Sequence, residues 1–167
     1  MPVVAQITMG QNDALSKDFL NNYIFTPISQ LATPAAAYYS KPSSDPNITT
    51  VSTTFGYVDN TLGKFSLQIA TTGAPIEMGF RGIASHSVAT ASVAFDIEVD
   101  GVNYTNGGVL AQGTHPTASG GFTISFREII PVIAGGIHTF KLVWKVVSAG
   151  TGTLISTHVP SFYVREL

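Results

Sequence analysis

Asp96, Glu98 and Asp100 stand two residues apart, and a spacing of two puts them on one face of a strand. Carboxylates so placed suit two chemistries: the acid and base of a glycosidase, or oxygen ligands for calcium. The same spacing also describes a solvated strand face opposite Phe95, Ile97 and Val99. That plainer reading is preferred, because no oxygen-rich Asp-x-Asp loop accompanies the three acids.

His86, His115, His138 and His158 are isolated. Two histidines share a strand face only at i, i+2 spacing, and none of the four has it. A metal gathered from distant strands is left open by spacing alone. His138 lies beside Gly136 at a strand start, where a turn hydrogen bond is expected. The chain has no cysteine, so it has no disulfide framework and no thiolate metal site, as fits a reducing compartment. No Gly-x-Ser-x-Gly elbow is present. Gly79-Phe80-Arg81-Gly82 and Gly107-Gly108 lack the Gly-Lys-Ser/Thr and strand-to-helix context of a phosphate loop. Asn47-Ile48-Thr49 and Asn103-Tyr104-Thr105 match the glycosylation pattern and are read as chance matches. No catalytic residue, cofactor or metal is therefore assigned, and a non-enzymatic protein is expected.

Bulk properties narrow the classes further. The 167 residues suit one domain with a self-sufficient core. Only 11% are charged, against about 25% in ordinary domains. Thr and Ser fill outward strand positions instead. Low charge also suits a surface covered by other subunits, where Lys and Glu are costly to desolvate. A net charge of −2 without a basic run gives no attraction to nucleic acid. Met1 to Gln6 lack the basic segment and apolar core of a signal peptide, and no run of 18 apolar residues implies a membrane span.

Residues 1–47 read as an N-terminal arm. Residues 13–20 suit one or two helical turns, and residues 21–25 a short extended piece. Pro27, Pro34, Pro42 and Pro46 interrupt the rest of the segment. Yet Phe19, Leu20, Tyr23, Ile24, Phe25, Tyr38 and Tyr39 are richer in apolar area than a disordered tail would be. The arm is expected to pack on something, either its own domain or a neighbour, and these seven residues are the candidate subunit or particle contacts.

Residues 48–167 read as strand after strand. Val51, Thr53, Phe55 and Tyr57 alternate, as do Phe65, Leu67 and Ile69, and then Val93, Phe95, Ile97 and Val99. Asp100-Gly101 is a hairpin signal. Residues 113–121 form a polar loop, and Pro131 marks a strand end or edge. Gly135-Gly136 turns into Phe140, Leu142, Trp144 and Val146, which alternate with Thr139, Lys141, Val143 and Lys145. Roughly eight to ten short strands with no helical pattern predict an antiparallel β-sandwich of jelly-roll type. The aromatic residues in alternating register, Phe55 and Tyr57 included, are assigned to the core.

The run from Phe95 to Gly101, the loop after it, Gly136-Ile137-His138-Thr139-Phe140-Lys141-Leu142-Val143-Trp144 and the closing Phe162-Tyr163-Val164-Arg165-Glu166-Leu167 resemble the jelly-roll domains of bacteriophage virion accessory proteins. These are similar in outline to trimeric jelly rolls of the tumour necrosis factor and complement type. The resemblance covers about residues 65–167. It implies a homotrimer or other symmetric oligomer on a phage particle, with a capsid protein as partner and assembly in the host cytoplasm. Capsid decoration, with the arm as anchor, is the role it favours. The alternative is a carbohydrate- or receptor-binding module for host attachment, using the 103–121 loop and its Tyr104.

Overall fold

Alternating apolar residues can be buried only if each strand turns one face onto a second sheet. The computed structural model describes residues 35–167. In chain order its strands are β1 (Ala36–Ser40), β2 (Ile48–Thr50), β3 (Gly56–Tyr57), β4 (Ser66–Thr71), β5 (Ile76–His86), β6 (Ser92–Val99), β7 (Val102–Asn103), β8 (Ala111–Thr114), β9 (Gly121–Ile130), β10 (Gly136–Val146), β11 (Gly152–Leu154) and β12 (Ser161–Glu166). A single 3-10 turn, Ser156–His158, separates the last two. Phe19, Leu20, Tyr23, Ile24 and Phe25 lie outside the described residues, as do the helical and extended pieces expected over 13–25. Among the described residues no helix is long and apolar enough to cross a membrane.

All strand pairs are antiparallel. In the first sheet β5 is central. It pairs with β12 and β11 on one side and with β9 on the other, and β1 and β2 lie beyond β12 and β11. In the second sheet β10 pairs with β3 and β4 on one side and β6 on the other, and β7 and β8 lie beyond β6. β1 with β2, β3 with β4, β7 with β8 and β11 with β12 each share one position. The chain thus alternates between two four-position sheets in the winding of a jelly roll. Residues 36–40, part of the 1–47 segment in sequence terms, form β1 and pair with Ser161–Arg165 of β12.

The core lies between the sheets. Phe80 of the first sheet stacks on Phe95 of the second at 5.1 Å between ring centroids, and Phe95 meets Trp144 at 5.8 Å. Phe65 meets Phe80 edge-on at 6.3 Å. Phe140, Leu142, Trp144 and Val146 are buried as their alternation requires. Asp100 and Gly101 both take positive φ, 49° and 90°, as a two-residue hairpin demands.

Three expectations change. Phe55 and Tyr57 are not core residues. β2 ends at Thr50 and β3 begins only at Gly56, so the alternation over 51–57 is broken, and Tyr57 aligns with outward-facing Val143. Lys145 lies over the Phe55 ring and Lys141 over the Tyr57 ring. Asp96 is not solvated but fully buried. Its Oδ1 accepts from the Ile97 N–H at 2.8 Å, and its Oδ2 from the Thr105 hydroxyl at 2.7 Å. The polar loop expected over 113–121 begins inside β8, which pairs Ala111–Thr114 with Phe95–Ser92.

Truncating Trp144 to Ala leaves a cavity between the sheets. An equilibrium urea titration is expected to show a loss of about 3–5 kcal/mol. A loss under about 1 kcal/mol would mean that the indole is not held as described.

Candidate functional site

Because Ile76, Met78 and Phe80 face the core, Glu77, Gly79 and Arg81 face outward from β5. Register then fixes their neighbours. Glu77 lies beside Arg165 of β12 and Ile129 of β9, Gly79 beside Tyr163 and Arg127, and Arg81 beside Ser161 and Ser125. Beyond β12, Ala36, Tyr38 and Ser40 of β1 continue the same rows. These residues form one polar, aromatic face.

Glu77 is its centre. Though on the outer side, its side chain is covered by its neighbours. Arg127 ion-pairs with Oε2, Arg165 donates to the same oxygen at 3.2 Å, and the Tyr163 hydroxyl donates to Oε1 at 2.8 Å. Gly79 makes this geometry. A Cβ there would lie 2.5 Å from Cε1 of Tyr163, so only glycine lets the ring lie flat across β5 and bring its hydroxyl to Glu77. The Arg127 hydrogen bond, then those of Tyr163 and Arg165, hold the Glu77 carboxyl down to about 2. Burial and Glu77 push the Tyr163 phenol upward.

A second polar cluster closes one end of the β6–β10 pair. His138 bonds Asp100 Oδ2 through Nδ1 at 2.6 Å and the Ala134 carbonyl through Nε2 at 2.8 Å. Asp100 Oδ1 also accepts from the Thr139 N–H at 2.8 Å. Burial works against protonating His138, but Asp100 and Ala134 outweigh it and raise its pKa. His138 therefore makes more than a turn hydrogen bond. It clamps the Asp100-Gly101 hairpin to the start of β10. His86 is buried, and its Nδ1 accepts from the Val88 N–H at 3.0 Å. Its Nε2 has no partner among the described residues.

The three carboxylates of the 96–100 stretch do not act together. Asp96 holds Thr105, Glu98 accepts from Tyr57 and lies 3.8 Å from Lys141, and Asp100 binds His138. Among the described residues no group of three or more His, Asp or Glu is placed to hold a metal. Tyr104 packs half-buried against the core, and burial with Glu128 and Asp96 nearby pushes its phenol upward. Tyr39 also turns inward, edge-on to Phe65 at 4.9 Å, whereas Tyr38 stands exposed on the outer face. The Glu77 cluster was invisible in the sequence because its members are 50 and 88 residues apart along the chain.

No protein-family model matches this chain, and no curated protein matches it. Solved structures do resemble it. Eiger TNF from S. frugiperda is 9% identical, with 79% of this chain and 91% of that chain covered and a TM-score of 0.49. The infectious bursal disease virus Gt strain structure is 12% identical, with 79% and 37% covered and a TM-score of 0.43. A GH115 4-O-methyl-alpha-glucuronidase is 10% identical, with 78% and 17% covered and a TM-score of 0.39. Likeness of this degree says nothing of what the chain binds or does. The jelly roll rests on its own strand order.

The two clusters respond to pH with opposite sign. Glu77 has a depressed folded pKa, so its stabilisation is present above the ordinary 4.5 and is lost as pH falls through about 2. Glu77→Gln is expected to lower stability at neutral pH, and its deficit against wild type should shrink over that window in urea titrations. A deficit that does not vary with pH contradicts the arginine clamp. For His138 the pKa is raised, so its contribution is full below the ordinary 6.5 and fades as pH rises through the higher folded value. Thermal melts of His138→Gln should therefore trail wild type most at mildly acidic pH and converge with it in alkaline buffer. Equal gaps at both ends would remove the ion pair from the account.

Proposed function

We propose that this chain is a non-enzymatic structural protein of a virus particle, a jelly roll that assembles in symmetric copies and decorates the particle. One observation carries the assembly. β9 runs ten residues with no proline inside it and with Arg127 and Glu128 as its only charges, and among the described residues it is bonded only to β5. Long, uninterrupted edges template pairing with another chain, and proteins that stay alone usually shorten, charge or cover them. The 11% charge content supports the same reading, since sparse charge lowers the cost of covering the surface.

The viral and phage setting comes from the sequence resemblance over 65–167. Attachment is assigned to the part of the 1–47 segment that precedes β1, with Phe19, Leu20, Tyr23, Ile24 and Phe25 as its apolar contacts. Tyr39 is committed to Phe65 and drops out of that set, while Tyr38 remains free to take part. Tyr104 gives the carbohydrate alternative little support, because its ring faces the core instead of standing open for sugar stacking.

Native mass spectrometry on the full chain is expected to give one closed multiple of the monomer. Removing residues 1–34 should preserve that multiple and release the protein from its particle. A dispersed monomer at micromolar concentration, with β-type circular dichroism intact, refutes the building-block reading.

A further inference from the structure

We propose that the outer face of the β5 sheet is a docking surface for an acidic protein surface, read by arginine. Arg81, Arg127 and Arg165 are all the arginines of the chain, and register puts all three on this face. The lysines Lys141 and Lys145 lie on the other sheet, on β10. The acid of this face is Glu77, and it is already covered and committed to Arg127 and Arg165. The face is thus positive on a chain whose net charge is −2.

The arginines are not used up by Glu77. Their side chains remain 64% and 52% exposed at Arg127 and Arg165. Each contributes one terminal nitrogen to Glu77 Oε2, and a guanidinium has five N–H donors. Arg81 is exposed and has no carboxylate partner among the described residues. Around the arginines stand Tyr38, 65% exposed, and Ile129, with small Ser125 and Ser161 between them. Arginine and tyrosine with few lysines or free acids is the composition of a protein–protein contact.

Charge selects the occupant. The same face of a second copy would set arginine against arginine, which opposes self-pairing here. Glu77 shows the chemistry that fits: a carboxylate taken by two guanidinium groups and a tyrosine hydroxyl. A partner carrying Asp and Glu repeats that contact with the unused donors. This inference rests on the chain being a binding or building element and not on its viral setting, and a monomeric chain would bind in the same way.

Labelled poly-L-glutamate serves as the probe, titrated with the full chain and read by fluorescence anisotropy. Binding is expected, weakening about tenfold or more when salt is raised from about 50 mM to about 200 mM. Arg81 makes no side-chain hydrogen bond or ion pair among the described residues, so Arg81→Gln should fold, yet weaken binding about fivefold, while Lys145→Gln on the other sheet leaves it unchanged. Absence of binding, or equal losses in the two variants, overturns the proposal. Tighter binding of a single-stranded oligonucleotide of matching length than of poly-L-glutamate overturns the assignment to protein carboxylates.

Discussion

Two sheets share one aromatic column, and its fit fixes the register of everything else. Phe80 reaches Phe65 and Phe95 across the gap, with centroid separations of 6.3 and 5.1 Å, and Phe95 lies beside Trp144 within its own sheet at 5.8 Å. Each ring fixes the parity of its strand. A one-residue slip of β5 would bring Glu77, Gly79 and Arg81 inward and drive Met78 and Phe80 into water. Burying an unpaired carboxylate and guanidinium there costs several kcal/mol, and exposing two large apolar side chains adds about 1.5–3 kcal/mol each. The outer face is therefore set from inside. Arg81, Arg127 and Arg165 share it because Phe80, Phe126 and Val164 belong to the core side of their strands.

Covering Glu77 on an outer face needs a further device. Strand neighbours on a flat sheet do not usually shut off water, because side chains stand roughly upright. Here Gly79 leaves a gap, and Tyr163 lies down into it. The tyrosine ring shields the carboxylate on one side and Arg127 and Arg165 close the others. Breaking a covered ion pair by removing one partner costs more than the pair itself contributes, since it strands a charge. The three strands β5, β9 and β12 are thereby cross-linked on the outer side, as the aromatic column links the two sheets on the inner.

Much of this architecture could be read from alternation alone. The buried row of β10 and the Asp100-Gly101 hairpin follow from residue type, spacing and the φ that a two-residue turn demands. What alternation does not contain is partner identity across the sheet. Asp96 reads as solvated because its neighbours in sequence are strand residues, and the group that covers it, Thr105, comes nine positions later after a turn. His138 and Asp100 are 38 apart, and only the pairing of β6 with β10 joins them. Phe55 and Tyr57 mislead for a different reason. Alternation predicts a face only while the strand is unbroken, and here it lapses between Thr50 and Gly56.

The two sheets differ in how available their cations are. On the β10 sheet, Lys141 sits over Tyr57 and near Glu98, and Lys145 over Phe55. An ammonium is a compact, strongly hydrated point charge with three rotatable donors and no planar edge to set against a carboxylate. On the β5 sheet Arg127 and Arg165 are guanidinium groups, each wide enough to hold Glu77 at one edge and present other donors outward. Exchanging Arg127 for lysine would keep the charge and the attraction to Glu77 but remove the second edge. The outward chemistry of this face thus depends on the shape of the arginine side chain as much as on its charge. That is a physical reason for the chain's arginines to be confined to one face while Lys141 and Lys145 serve on the other sheet.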